Sequence, residues 1–83
     1  MRYRLSRHAA HVLHERGIAE EWLERVLREP QKVEPDEEDR ALEHRLACIP
    51  EHGHRVLRVV VNKSVRPEKV VTVYFDRAMK GKL

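Results

Sequence analysis

Residues 54–77 read His54-Arg55-Val56-Leu57-Arg58-Val59-Val60-Val61-Asn62, then Lys63-Ser64-Val65-Arg66-Pro67, then Glu68-Lys69-Val70-Val71-Thr72-Val73-Tyr74-Phe75-Asp76-Arg77. Two runs rich in β-branched and aromatic residues on either side of a short, proline-containing turn predict antiparallel strands over 54–62 and 68–77. A third strand is expected upstream over 40–49, joined to them through Pro50-Glu51-His52-Gly53. Period-two alternation places Leu57, Val59 and Val61 on one face together with Val71, Val73 and Phe75. With Leu42, Leu46 and Cys48 turned the same way, Glu43, Arg45, Arg58, Thr72 and Tyr74 are expected to share the opposite, uncovered face.

Before this sheet the period is helical. Ser6 is a candidate N-cap, and Leu5, Ala9, Val12, Leu13 and Arg16 form a stripe along a helix over 7–16 that Gly17 ends. A second helix is expected over 19–29, with Ile18, Trp22, Leu23, Val26 and Leu27 on one side and Pro30 stopping it. Tyr3-Arg4-Leu5 suits a short leading strand. Glu34-Pro35-Asp36-Glu37-Glu38-Asp39, five acids and a proline, suits an exposed loop and no strand. The expectation is an α+β domain: two N-terminal helices packed on one face of a small, mainly antiparallel sheet of three to four strands.

Length and composition bound the function. Eighty-three residues make one small domain that hides roughly 60 to 65% of its unfolded surface. A charged fraction of 37% and a mean hydropathy of −0.68 argue against a membrane span. The N-terminus lacks the apolar core of a secretory signal, and Cys48 is the lone cysteine, so a cytoplasmic, reducing location is expected. Residues 1–39 hold seven Lys/Arg against ten Asp/Glu, and residues 40–83 hold ten against four. An anionic partner would be drawn to the C-terminal half; a merely solvated surface is the plainer alternative.

Six histidines in a chain this short invite a search for chemistry. His8, on the edge of the first helix, reads either as a general acid/base or as a border residue that packs its ring and hydrogen-bonds a carbonyl. His44, Cys48, His52 and His54 are zinc-ligand types, but their spacing is poor, and neither metal nor cofactor is expected. Arg45 and Arg58 on one face would clamp a phosphate, with Thr72 and Tyr74 positioning it; the alternative is a cross-strand ion pair of Arg58 with Glu43. Arg77, Lys80 and Lys82 form a basic tail.

Ser6-Arg7-His8-Ala9, Glu15-Arg16-Gly17-Ile18, Pro30, the final run Val70–Arg77 and Met79-Lys80 together resemble a small bacterial family, domain of unknown function 4258. Its members look like distant relatives of the RelE/ParE and BrnT toxins, helix-then-sheet domains that include metal-independent ribonucleases of toxin–antitoxin modules. The resemblance implies RNA as substrate and a cognate antitoxin as partner; a non-catalytic interaction module of the same fold is the alternative. His8 matches the family's histidine, Arg16 its arginine, and Thr72 and Tyr74 its final strand. On this reading His8 or His44 transfers protons, Arg45 and Arg58 stabilise charge, and Tyr74 positions the phosphate or donates a proton. Arg16, Thr72, Arg77 and Lys80 hold RNA.

Overall fold

The computed structural model describes residues 2–83. Strand β1 (Arg4–Leu5) leads into helices α1 (Arg7–Arg16) and α2 (Glu20–Arg28), followed by β2 (Lys32–Pro35), β3 (Leu42–Ile49), β4 (Arg55–Asn62) and β5 (Lys69–Phe75). Short 3-10 turns occupy Pro50–His52 and Arg77–Met79.

Local chemistry sets the helix ends. The Ser6 hydroxyl accepts the Ala9 N–H at 2.9 Å and donates to the Val71 carbonyl at 2.8 Å, so it caps α1 and ties it to β5. Gly17 takes the left-handed conformation at φ 60°, which lets the Ile18 N–H reach back to the Leu13 carbonyl at 2.9 Å. Ala19 offers no side-chain cap to α2, whose first turn carries Glu20 and Glu21 against the positive end of the helix dipole. Leu23, Val26 and Leu27 of α2 and Ala9 and Leu13 of α1 are buried against the sheet.

The sheet corrects the expected strand count. It has five strands in the order β1-β5-β4-β3-β2 and is mixed, because β1 runs parallel to β5 with Leu5 beside Val70. The β3-β4-β5 antiparallel meander is present as expected. The extra antiparallel strand is β2, which takes Glu34 and Pro35 from the segment read as a loop. Pro35 lacks an N–H and Lys32 is charged, both tolerated because β2 is an edge strand.

The phase of β3 is also the reverse of that expected. Ala47 and Ile49 pack with Leu57, Val59, Val61 and Val73 under the helices, while Leu46 is buried on the opposite face. Counting apolar residues favours Leu42, Leu46 and Cys48 as the inward set. The helices, however, cover only the later part of β3, where Ala47 and Ile49 supply the apolar surface and Glu43 and Arg45 lie beyond. In β5 the pairing of Val60 with Thr72 and Val61 with Val70 leaves Val71 as an extra residue. This bulge turns Val70, not Val71, into the core.

Candidate functional site

Arginines occur in two different settings. Arg58, in the centre of the sheet on the face away from the helices, has a side chain only 13% exposed. Its Nε and Nη2 donate to Asp76 Oδ2 at 2.9 and 2.8 Å, and its Nη1 donates to Glu34 Oε1 at 3.1 Å and to His44 Nδ1 at 2.9 Å. Because Nδ1 accepts, the His44 proton sits on Nε2, which donates to Asp36 Oδ1 at 2.7 Å. Both ring nitrogens of His44 are therefore engaged. The Arg58 hydrogen bond holds the Glu34 carboxyl below its ordinary range, and the His44 hydrogen bond, aided by the Asp39 and Glu38 N–H groups, does the same for Asp36. The hollow beside this network, about 620 Å³, is lined by Glu34, Asp36, Glu37 and Glu38 as well as His44 and Arg58. Its charge repels phosphate.

Arg45 lies on the other face, so the phosphate clamp expected from Arg45 and Arg58 does not form. Arg45 donates through Nη1 and Nη2 to Glu68 at 3.1 and 3.0 Å, through Nε to Glu43 at 2.9 Å, and to the Leu27 carbonyl near the end of α2. Glu43 thus pairs with Arg45 and Lys63, and Arg58 with Glu34 and Asp76, in place of the expected Glu43–Arg58 pair. Cys48 is half-buried on the face away from the helices, 3.9 Å from His54 Nδ1, rather than in the core. Among the described residues no three His, Cys, Asp or Glu side chains cluster to hold a metal ion.

The second setting is the edge of β5. β1 pairs only with Lys69 and Val70, so the rest of β5 is open on that side, and a cleft of about 370 Å³ forms between it and α1. His8, Val12 and Arg16, four residues apart, stand on one stripe of α1 and make its helical wall. His8 Nε2 lies 3.0 Å from the Thr72 hydroxyl oxygen, in hydrogen-bond contact. His8 is thus an exposed ring held by a threonine hydroxyl rather than by a carbonyl. Tyr74, Arg55 and Arg77 complete the rim. No carboxylate lines this cleft among the described residues, and no ion pair there reaches Arg16, Arg55 or Arg77.

His52 forms part of the floor. Its ring centroid lies 4.9 Å from that of Trp22 and 4.8 Å from that of Phe75. Asp76 links the two settings, because its Oδ2 holds Arg58 while its Oδ1 accepts the Ala78 N–H at 3.0 Å and caps the turn that presents Arg77. Lys80 sits in an adjoining hollow with Arg55 and Arg77.

Five of the expected site residues, His8, Arg16, Thr72, Tyr74 and Arg77, therefore converge, with Lys80 beside them. His44, Arg45 and Arg58 belong to structural networks elsewhere. Arg55 and His52 were missed as cleft residues. Arg55 shares the parity of Leu57 and Val59, a signal that it lies at the end of the helix-covered face.

The fold and cleft define a class: a small α+β domain with helices on one face of a mixed sheet and an unpaired-arginine cleft at a strand edge. Residues 5–75 match the model of a domain of unknown function (DUF4258), and the chain belongs to that family. No match was found among curated proteins or among solved structures. Among the described residues no helix is long and apolar enough to cross a membrane.

Proposed function

We propose that the chain is a metal-independent RNA-cleaving domain of the toxin–antitoxin type, acting at the α1–β5 cleft. The observation that carries this reading is one cleft holding a histidine in contact with a hydroxyl, a tyrosine, and three arginines with no ion-pair partner among the described residues. Cleavage without a metal needs a base for the ribose 2′-OH, an acid for the departing 5′-oxygen, and cations for the charge that builds on phosphorus. His8, oriented by Thr72, takes the 2′-hydroxyl proton as that oxygen attacks the adjacent phosphorus. Tyr74 donates a proton to the 5′-oxygen as its bond to phosphorus breaks, leaving a 2′,3′-cyclic phosphate and a 5′-hydroxyl. Arg16, Arg55 and Arg77 hold the phosphate. An antitoxin would then act by covering this cationic cleft with acidic side chains.

The test is incubation of the chain with RNA in the presence of a chelator. Fragments ending in a cyclic phosphate are expected, with cleavage lost in His8→Ala and no cleavage of the matching DNA, which lacks the attacking hydroxyl. RNA that is bound but left intact would overturn catalysis and favour an anion-binding interaction module of the same fold. RNA neither bound nor cut would remove RNA altogether.

A further inference from the structure

The chain has four Phe, Tyr and Trp side chains in total, and three of them are at this cleft. Tyr74 and Phe75 line it, and Trp22 stacks behind His52. Phe75 and Trp22 pack on the core, which accounts for their presence. Tyr74 is different. It lies on the face away from the helices, is 43% exposed as a residue, and is the only exposed large aromatic among the described residues. A site that held phosphate alone would need cations and no ring.

The cleft spans the edge of β5, so Tyr74 faces it from one side of the strand while His52 and Phe75 face it from the other. Its volume of about 370 Å³ is near the lower end of the range for ligand sites, about 300–1,000 Å³. That gives room for one nucleotide and not for a base pair with its backbones. Arginines at the rim reach phosphate, and rings within it offer apolar faces to a base that has left its stack.

We infer that the cleft takes an unpaired nucleotide, its base laid against Tyr74 and its phosphate on Arg55 and Arg77, and thereby selects single-stranded over duplex RNA. This rests on the RNA reading given above. Base–aromatic stacking is worth about 1–3 kcal/mol per base, so loss of the ring should weaken single-strand binding roughly tenfold or more.

Trp22 is the lone tryptophan, with its ring centroid 4.9 Å from that of His52, so its emission reports on the floor of the cleft. The full chain is titrated with a short oligoribonucleotide free of self-complementarity, alone and annealed to its complement, at constant salt. Tighter binding of the single strand, by about tenfold, is expected. Tyr74→Leu should weaken the single strand by about tenfold and leave the duplex unchanged. Tyr74→Phe should retain single-strand affinity while losing cleavage. Equal affinity for the two forms, or equal weakening of both by Tyr74→Leu, overturns single-strand selection while the RNA reading stands. Binding of neither form overturns both.

Discussion

Arg58 and Arg77 lie on either side of Asp76, and the contrast between them separates the two charged regions of the molecule. Arg58 is set in the middle of the sheet, where the neighbouring strand β3 supplies His44, β2 beyond it supplies Glu34, and the residue after β5 supplies Asp76. Its guanidinium hydrogen-bonds all three, and the hollow beside it is lined by acids. Arg77 stands on an exposed turn at the sheet's open end, with Arg55 and Arg16 as neighbours and no ion-pair partner among the described residues. A guanidinium in a strand centre must bring its counter-charges with it, because desolvation is costly, and so it becomes a structural clamp. One at an edge stays hydrated and available. Charge counted along the chain does not distinguish the two; pairing does.

Arg58→Met is the sharpest way to break this comparison. A fully buried pair that loses one partner costs about 3–5 kcal/mol, and partial exposure of Glu34 reduces that here to about 2 kcal/mol. In a domain this size the midpoint of thermal unfolding should fall by roughly 8–16 °C. An unchanged midpoint would remove Arg58 from the clamp. Arg55→Ala and Arg77→Ala should leave stability within about 0.5 kcal/mol of the parent. Each should instead lower the slope of log affinity against log salt by roughly 0.7 for single-stranded RNA, read from binding titrations at several salt concentrations. A fall in stability without a change in slope would show these arginines to be structural after all.

The smallest effect is on pH dependence. Glu34, Asp36 and Glu43 have lowered pKa values, and the Arg25 hydrogen bond brings Glu51 down to about 2. Carboxyls lowered on folding contribute stability above their unfolded pKa, near 4, and lose it as pH falls through the folded value. Urea midpoints should therefore be level from about pH 7 to 5 and decline from about pH 4.5 towards 2. Glu51→Gln should flatten the lower part of that decline. A midpoint that fell between pH 7 and 5 would mean that a group outside this set governs stability.

Some elements were legible because their determinants are local. Ser6, Gly17 and Pro30 mark helix ends that the structure places at or within two residues of those positions. β4 and β5 follow from uninterrupted β-branched alternation. β2 was obscured because Glu34 and Pro35 are poor strand residues, and it forms only because the neighbouring strand offers a ladder. In the site, Val12 and Arg16 were legible on the stripe of the first helix, with His8 at its edge. Their meeting with Thr72 and Tyr74 was not, because it depends on β1 ending after two residues and leaving the edge of β5 open.

The amino-acid sequence by itself determined the two helices, the antiparallel meander and the set of cations and rings available for chemistry, since caps, breakers and periodicity act over a few residues. The tertiary structure alone decided the phase of β3, the membership of β2, and which arginines are neutralised and which are free. Those outcomes turn on contacts between distant positions, Arg58 with Glu34 across 24 residues, Arg45 with Glu68 across 23, and His8 with Thr72 across 64. Such pairs exist only once helices and strands have packed, because an isolated charge has no local preference for one partner over another.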